Sequence, residues 1–563
     1  MTEEEGLTIT VEKGSGKNLR IEQIWLSGPF EIIGRVRDPK NEGWARLLRW
    51  EDDDKRIHEC TISDADLHHD PSETCAKLAG QGLKIATGSS RGYFLQYLNS
   101  AAVEERLTIV PRTGWHDVDG EKIFALPGDA TGNGSIIVSG TVTSPYESNG
   151  TLDEWKDSVG KLVADHTRGV FAVSAAFAAP LLALIGEDGG GFNLRGPSSI
   201  GKTTLLRASA SVWGRADEHG IIKTWRATAN GIEGTATMFS DTLLPLDELG
   251  IASGQDVGSI TYSLSSGIGK QRSQRDGSAK PVNTWRVITL STGEVGIADK
   301  IRESGRKVRA GQEIRIIDLP ADAKLSFGVF DNGGADSDPE KLARDICAAA
   351  ITYYGTAGPA FVKAVLAKGA DTIAKIVKES RDAFREEAAA GVTNGQVLRG
   401  ANRFGLVAAA GELAIEFGIV SWAPGSATAA TEALFNEWHA ERGGDDPAEI
   451  RHAVEQIRHI IEVHGDSRFD PPDRIPDRPV PNRLGYIHGD GQDRQWWIPP
   501  GIWRNEFCNG FDHKDVAAAL VERGMLLGDS EGKTSRMERV NGKPTRCYVI
   551  TARIQADAEG GAP

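Results

Sequence analysis

Alternation of apolar and polar residues characterises the first part of the chain. Segments of this kind occur at residues 7–11 (LTITV), 21–25 (IEQIW) and 30–33 (FEII), and turn-forming runs such as 117–120 (DVDG) separate them. A period of two residues is typical of half-buried strands. The pattern predicts a β-rich N-terminal domain over residues 1–150.

The pattern changes to helical spacing at Leu152. A small-residue, apolar helix is predicted over residues 170–185, followed by a short strand at 192–195 and a glycine-rich loop that opens another helix. Further strand candidates lie at residues 243–246, 285–290 and 313–319. Strands that alternate with helices indicate a largely parallel sheet. We therefore predict an α/β core over residues 151–335.

Three further segments complete the predicted organisation. Residues 336–470 form a helical region of lid and accessory helices, because apolar side chains recur there at helical period. The proline-rich run 471–482 predicts a stiff linker, since proline fixes φ and lacks an N–H. Residues 483–563 predict a helix followed by an Asn-Gly hairpin, which suggests a winged-helix-like C-terminal module. Such a module binds duplex DNA or packs against protein.

The composition is that of a globular protein with several domains. The chain has 563 residues, 39% of them hydrophobic and 25% charged, with a net charge of −15. A chain this acidic does not coat nucleic acid by bulk charge, so any such contact must come from local basic patches. The five cysteines are scattered, which argues against a disulfide framework and against structural zinc.

The chain carries no pattern typical of export. Its first residues are acidic and lack the basic-then-apolar order of a signal peptide. The longest apolar run, residues 170–185, is short for a membrane span and contains Pro180. We therefore expect a cytoplasmic protein with no membrane partner.

A phosphate-binding loop is the strongest motif in the sequence. The pattern G-x-x-x-x-G-K-[ST] follows the strand at 192–195 and precedes a helix, which is the context the motif requires. Its backbone N–H groups and the helix N-terminus surround phosphate oxygens. The lysine bridges the β- and γ-phosphates of ATP, and the first threonine holds Mg²⁺. The predicted ATP-binding residues are Gly196, Pro197, Ser198, Ser199, Ile200, Gly201, Lys202, Thr203 and Thr204.

Two carboxylates end the next buried strand candidate. Asp247 is predicted to hold Mg²⁺ together with Thr203, and Glu248 to orient the water that attacks the γ-phosphate. Such a pair on a strand favours hydrolysis over transfer to an acceptor, although paired acids at a strand end are also common in solvated turns. Ser291 and Thr292 end a further strand and are predicted to lie beside the loop.

Several motifs in order resemble one family. The chain resembles the domain-of-unknown-function 927 ATPases of plasmids, phages and other mobile elements, which are similar to replicative helicases of the AAA+ class. The motifs that carry the resemblance are the run from Gly191 to Thr204, SVWG at 211–214, WRAT at 225–228, LDEL at 246–249, LSTGE at 290–294 and GQEIR at 311–315. The resemblance implies an AAA+ P-loop core in a ring, expected to be a hexamer, with each ATP between neighbours.

The resemblance also implies roles for two arginines. Arg315 occupies the kind of position from which an arginine in mini-chromosome-maintenance helicases reaches the neighbour's γ-phosphate, although a local ion pair would also explain it. Arg403 is a candidate for a second sensor of bound ATP, against the alternative of a solvated helix residue. The sensor position in this class is often Asn, so either Ser291 or Thr292 takes that role here.

A basic, glycine-containing segment lies between the acidic pair and the next strand. Its cations are Lys270, Arg272, Arg275 and Lys280. In ring helicases an insertion at this place forms a hairpin in the central pore that holds the phosphates of single-stranded DNA. The alternative is an exposed basic loop without function.

These features and the resemblance together predict an ATP-dependent, ring-forming DNA helicase or translocase that serves replication of a mobile genetic element. Its expected partners are single-stranded or forked DNA and further copies of itself. The alternative is an AAA+ remodeller or switch that acts on protein or senses invading DNA without unwinding it. A small-molecule kinase would need an acceptor pocket and a lid, for which the sequence has no motif.

Overall fold

The computed structural model describes residues 6–14, 19–69, 71–127, 129–131, 136–138, 144–271, 282–305, 310–333, 338–442, 448–473 and 480–556. Helices and strands are mixed, and the chain forms two compact units. The first unit comprises residues 1–300, 315–384 and 402–434, and the second comprises residues 301–314, 385–401 and 435–563. The domain boundaries drawn from the sequence stay predictions.

The alternating N-terminal segments form three small sheets in the first unit. Their strands are β1 (Leu7–Lys13), β2 (Arg20–Ser27), β3 (Glu31–Arg37), β4 (Ala45–Glu51), β5 (Ile57–Ser63), β6 (Arg106–Val110), β7 (Gly114–Val118), β8 (Glu121–Leu126), β9 (Asp129–Thr131) and β10 (Ile136–Val138), with helices α1 (Asp64–His69), α2 (Pro71–Gly80) and α3 (Ser90–Ser100). The strand orders are β1-β2, β10-β6-β3-β4-β5 and β7-β8-β9. Leu48 and Trp50 of β4 pack with Phe94 and Leu98 of α3, so one face of the largest sheet is covered by helix.

A five-stranded parallel sheet forms the centre of the first unit. Its strands are β11 (Gly190–Arg195), β12 (Lys223–Thr224), β13 (Leu243–Asp247), β14 (Ile288–Gly293) and β15 (Ile316–Pro320), in the order β12-β13-β14-β11-β15. All of their pairings are parallel. Almost every residue of β11, β13, β14 and β15 is buried, as expected for a parallel sheet that helices cover on both faces. Parallel pairing brings the carboxyl ends of all five strands to one edge.

Helices connect and cover these strands. They are α4 (Leu152–Trp155), α5 (Thr167–Ile185), α6 (Lys202–Ala210), α7 (Ala229–Met238), α8 (Gly254–Ser266), α9 (Ile297–Glu303) and α10 (Ala310–Glu313). The strand predicted at 313–319 begins later, at Ile316, because residues 310–313 take the helical turn α10.

The apolar helix α5 lies inside the first unit. Pro180 in its middle has no N–H, which leaves the carbonyl of Ala176 without its helical donor, and the Trp213 indole N–H donates to that oxygen at 2.9 Å. Trp115 donates in the same way to the Pro180 carbonyl at 2.7 Å. Within the described residues, α5 is the one helix long and apolar enough to cross a membrane, yet 89% of its most apolar window is buried in the protein.

Six longer helices follow the parallel sheet along the chain. They are α11 (Pro339–Thr352), α12 (Ala357–Lys368), α13 (Ala370–Ala388), α14 (Gly395–Glu416), α15 (Ser426–Glu441) and α16 (Ala448–His464). Helix α11 is capped at its start, because the Asp338 carboxylate accepts from the Lys341 N–H and Pro339 occupies the first turn. The predicted helical region 336–470 contains all six.

The C-terminal part of the second unit packs helices on a twisted sheet. Its elements after α16 are β16 (Phe469–Asp470), β17 (Gly485–His488), β18 (Gln495–Ile498), α17 (Pro500–Ile502), α18 (His513–Glu522), β19 (Leu526–Leu527), β20 (Arg536–Val540), β21 (Lys543–Thr551) and α19 (Arg553–Ala556). The sheet order is β16-β17-β18-β21-β19, and β20 pairs with β21. Ile457 of α16 and Leu520 of α18 share the apolar core with Trp496 and Ile550. Residues 474–479 of the predicted linker lie outside the described residues.

Candidate nucleotide site

The phosphate-binding loop connects β11 to α6. Ser199 and Gly201 both have positive φ, 64° and 99°, so the backbone curls between the strand and the helix. A Cβ on Gly201 would lie 2.8 Å from the Val329 side chain, so glycine is required there both by conformation and by space. Helix α6 begins at Lys202, and its N-terminus therefore faces the loop.

Lys202 lies inside this loop. Its Nζ donates to the carbonyl oxygens of Gly196 at 2.8 Å and Pro197 at 2.5 Å. Burial lowers the pKa of Lys202 from its ordinary value, while the charges of Glu294 and Asp247 act in the opposite direction. The ammonium is thus held inside the loop by two of its backbone carbonyls.

Asp247 connects the loop to the neighbouring strands. It ends β13, and both of its carboxylate oxygens lie 3.4 Å from the Thr203 hydroxyl. The Thr292 hydroxyl of β14 donates a short hydrogen bond to the same carboxylate. A hydroxyl and a carboxylate are the oxygen ligands that Mg²⁺ prefers, and Mg²⁺ at nucleotide sites takes its other ligands from phosphates and water. Thr203 and Asp247 therefore fit a magnesium ion that arrives with a nucleotide.

The chain offers no protein-only metal cage in its described part. No group of three or more His, Cys, Asp or Glu side chains is placed to hold a metal ion among those residues.

Glu248 has an unusual backbone conformation. It lies in the left-handed region, with φ 59° and ψ 63°, immediately after β13. Its N–H lies 3.1 Å from Asp247 Oδ1 and 3.2 Å from Thr292 Oγ1, and its side chain is exposed in the cleft. A non-glycine residue in this region costs about 1–3 kcal/mol, and such strain is concentrated at functional sites. The turn directs Asp247 toward Thr203 and leaves the Glu248 carboxylate accessible.

Ser291 and Thr292 take different environments, although they are neighbours on β14. Successive strand residues point to opposite faces. The Ser291 hydroxyl accepts from the buried Trp225 indole N–H at 2.8 Å and is fully buried. Thr292 contacts Asp247 and the Glu248 N–H instead. Of the two sensor candidates, Thr292 is the one that the structure brings to the acidic pair.

A cleft of about 880 Å³ contains these groups. The loop, Asp247, Glu248, Thr292 and Glu294 form part of its lining. The opposite wall comes from residues not predicted from the sequence: Ser326, Phe327, Gly328, Phe330, Pro339, Glu340 and Ala343. The Val329 N–H donates to the Ile200 carbonyl at 2.9 Å, which joins this wall to the loop. The apolar Phe327 and Phe330 give the cleft a surface suited to a nucleobase.

Arg315 lies at the amino ends of the strands of the parallel sheet, whereas the phosphate-binding loop lies at their carboxyl ends. It precedes β15, whose first residue pairs with Gly191 at the amino end of β11. Its guanidinium stacks on the Tyr262 ring at 4.2 Å from the ring centroid, and its carbonyl accepts from the Gly191 N–H. Arg315 is not among the residues that line the cleft.

Arg403 of α14 lies at the same edge as Arg315. It donates to the carbonyls of Arg315 at 2.8 Å and Gly189 at 3.2 Å, and burial lowers its pKa to about 10. The structure therefore does not bring Arg403 to the phosphate-binding loop. Its hydrogen bonds tie α14 to the amino ends of β11 and β15.

The described ends of the basic segment lie side by side. Ile268 and Thr284 are antiparallel neighbours, and the Gly269 N–H donates to the Asn283 carbonyl at 2.9 Å. Lys270 is exposed, and its backbone N–H lies 3.4 Å from the Glu233 carboxylate. Three of the predicted DNA-binding residues, Arg272, Arg275 and Lys280, lie outside the described residues.

Comparisons with known proteins identify the family. One solved structure, described as the active helicase Cch of SCCmec type IV, matches with a TM-score of 0.70 and 18% identity over 95% of this chain and 96% of that chain. The two chains thus share a fold. No curated protein matches. The model of the domain of unknown function DUF927 matches residues 1–284, which is half of the 563-residue chain. The protein belongs to the DUF927 family.

Proposed function

We propose that this protein is an ATP-dependent DNA helicase or translocase that forms a ring, expected to be a hexamer, and serves replication of a mobile genetic element in the cytoplasm. The observation that carries the proposal is the cleft in which Lys202, Thr203, Asp247, Glu248 and Thr292 meet. A lysine, a hydroxyl and two carboxylates around a phosphate-binding loop are the groups that ATP hydrolysis requires.

The chain's own residues suit hydrolysis with water as the acceptor. Lys202 stabilises negative charge that develops on the β- and γ-phosphates. Glu248 accepts a hydrogen bond from the attacking water and orients it, while Asp247 and Thr203 hold Mg²⁺. The magnesium ion neutralises phosphate charge. The Thr292 hydroxyl holds the Asp247 carboxylate and the Glu248 backbone N–H in place by hydrogen bonds to both.

Similarity to a helicase structure supports DNA as the partner. The matched protein is described as an active helicase of an SCCmec element, and the alignment covers nearly all of both chains. We infer an AAA+ P-loop core from the parallel sheet and its cleft, and a winged-helix-like module from α18 and the β20–β21 hairpin. The test is strand displacement of a forked DNA by the purified chain with ATP, with Lys202→Ala as the inactive control. DNA-independent ATPase without displacement would favour the remodeller or switch.

Replacing Thr292 is expected to affect chemistry, and replacing Ser291 to affect packing. Thr292→Val removes the hydroxyl that contacts Asp247 and Glu248 at nearly the same volume, so we expect ATP turnover to fall by roughly 10–100-fold, the usual cost of removing a side chain that orients a metal ligand. Ser291→Ala should leave turnover within about threefold and change the fluorescence of Trp225, which loses its acceptor. Phosphate release and tryptophan emission measure both effects. The reverse pattern would assign the sensor role to Ser291.

The basic hairpin is expected to couple DNA to ATP hydrolysis. Lys270→Ala with Arg272→Ala should abolish DNA-stimulated ATPase and strand displacement while basal hydrolysis continues, because the base of the hairpin lies at the amino end of β14, away from the cleft. A matched control is Lys363→Ala with Lys375→Ala, which removes the same charge from exposed helix surfaces. Unwinding that survives the hairpin change would refute the pore assignment.

A further inference from the structure

The hairpin of β20 and β21 is a concentrated basic surface on an acidic chain. Residues 533–546 contain five cations and one carboxylate, a net charge of +4, whereas the whole chain has a net charge of −15. A local excess of this size is unlike the charge balance of ordinary surface and points to a polyanionic partner.

The backbone of this hairpin is held by a tight turn and by continuous strand pairing. Asn541 and Gly542 both have positive φ, 48° and 75°, the combination of a two-residue turn that matches the twist of paired strands. β20 pairs with β21 from Arg536 to Val540, and β21 continues into the sheet by pairing with β18 and β19. The cations of the hairpin are thus carried on a fixed ribbon.

Two of these cations share the outer face of the ribbon. Val540 and Cys547 are buried on its inner face. Met537 lies opposite Arg546, and Arg539 lies opposite Pro544, on the other face. Met537 is 51% exposed, and Arg539 and Arg546 are exposed as well. Lys543 is exposed at the tip of the hairpin.

Two local carboxylates are paired with the remaining cations. Glu538 forms an ion pair with Arg536 at 2.6 Å, and Glu531 forms one with Lys533 at 2.5 Å. Arg546 donates to the Ser535 hydroxyl at 3.2 Å. In the described part of the chain, Arg539, Lys543 and Arg546 have no carboxylate within ion-pair distance. Their charges are available to a ligand.

We propose that Arg539, Lys543 and Arg546 bind the phosphate backbone of duplex DNA. The inference rests on the proposed function for its choice of DNA as the polyanion. Residues 533–546 contain no aromatic side chain, so the hairpin lacks the stacking platform that single-strand binding uses. Phosphate contacts from a rigid ribbon do not depend on unpaired bases, and they position a protein on a duplex without reading its sequence. The hairpin therefore holds the duplex arm of a fork, separately from the basic segment at Lys270.

The experiment compares the full chain with the triple variant Arg539→Ala, Lys543→Ala, Arg546→Ala. Fluorescence anisotropy measures binding to a labelled 30-base-pair duplex and to a 30-nucleotide oligo-dT at several KCl concentrations. Removing three phosphate contacts should weaken duplex binding about a hundredfold at 100 mM KCl and lower the slope of log affinity against log salt by about 2–3. Binding to oligo-dT and basal ATPase should stay within about threefold of the unchanged protein.

Two further variants test whether the loss of duplex binding comes from missing phosphate contacts, from a damaged fold or from the lower net charge. Arg539→Lys with Arg546→Lys keeps both positive charges, so it should retain duplex binding within about threefold, since lysine also binds phosphate as a point charge. Lys363→Ala, Lys375→Ala and Lys378→Ala remove the same net charge from exposed positions on α12 and α13. Equal loss in that control, or an unchanged salt slope in the hairpin triple, would overturn the proposal.

The test of the hairpin surface can fail or succeed independently of the test of the proposed helicase function. Strand displacement by the unchanged chain together with normal duplex binding by the hairpin triple would refute the hairpin surface and leave the helicase standing. Loss of duplex binding in the triple, in a chain that shows no DNA-dependent ATPase, would support the hairpin surface and refute the helicase.

Discussion

Lys202→Ala and Glu248→Gln are expected to inactivate the protein in different ways. Without the Lys202 ammonium the loop loses the cation that its carbonyls hold in place, so ATP binding should fall below detection at micromolar nucleotide. Glu248→Gln keeps Lys202, Thr203 and Asp247, so ATP should bind normally. Its turnover should nevertheless fall by roughly 10²–10⁴-fold, because the base that orients water is lost. Binding of a fluorescent ATP analogue and release of phosphate measure the two steps separately.

Glu294→Gln is the matched control for charge in this cleft. Glu294 lines the cleft and is exposed, but it does not share the strand end with Asp247. Its neutralisation should change turnover by less than about fivefold. Similar losses in Glu248→Gln and Glu294→Gln would show that the cleft needs negative charge in general. Near-normal turnover in both Lys202→Ala and Glu248→Gln would refute the site itself.

The part of the site that the sequence predicts is the part built from contiguous residues. The phosphate-binding loop needs only a strand, two glycines, a lysine and a helix start, and these are adjacent along the chain. Asp247 follows by the same reasoning, because an apolar run that ends in an acid places that acid at the sheet edge where the loop lies. Parallel pairing then brings Asp247 to within 3.4 Å of Thr203.

The choice between Ser291 and Thr292 depends on packing that no local pattern contains. Both are small hydroxyl residues on one strand, and either could face the loop. Trp225 makes the environments of the two residues different, because its buried indole N–H needs an acceptor and finds the Ser291 hydroxyl. Trp225 lies on the segment after β12, two strands away from β14 in the sheet. The sequence alone does not predict this contact, because it depends on the order of the strands in the sheet.

The opposite wall of the cleft could not be predicted from the sequence for a similar reason. Residues 326–330 carry no motif, and Gly328 and Ser326 look like ordinary loop residues in the sequence. Their position follows from the backbone hydrogen bond between Val329 and Ile200, which are far apart along the chain. The one available signal is the aromatic pair Phe327 and Phe330 in the segment that follows the last strand of the parallel sheet, since ligands bind at the carboxyl ends of the strands in open parallel sheets.

Arg315→Ala is expected to lower ATP turnover by up to about 10³-fold while leaving nucleotide binding intact, if the arginine acts on the neighbouring subunit's ATP. Arg315 precedes the amino end of β15, whereas the loop lies beyond the carboxyl ends of the strands. The two ends of a five-residue strand are about 16 Å apart. An arginine side chain does not span that distance. Any contact between Arg315 and a γ-phosphate is therefore a contact with another copy of the chain.

Tyr262 provides the control that separates this role from a local one. The Arg315 guanidinium stacks on the Tyr262 ring, so a purely structural arginine would lose its function when the ring is removed. Tyr262→Leu keeps the cation and should retain turnover within about threefold if Arg315 serves a neighbour. A loss as large as that of Arg315→Ala would assign Arg315 to local packing.

Mixed rings then test whether the site is shared. Arg315→Ala subunits keep an intact loop, and Lys202→Ala subunits keep an intact arginine. In a mixture, some interfaces pair the intact loop of one subunit with the intact arginine of the next, so turnover should rise above that of either variant alone. Light scattering and subunit exchange with labelled protein verify that mixed assemblies form. Verified exchange without any gain in turnover would contradict a site completed by the neighbouring Arg315.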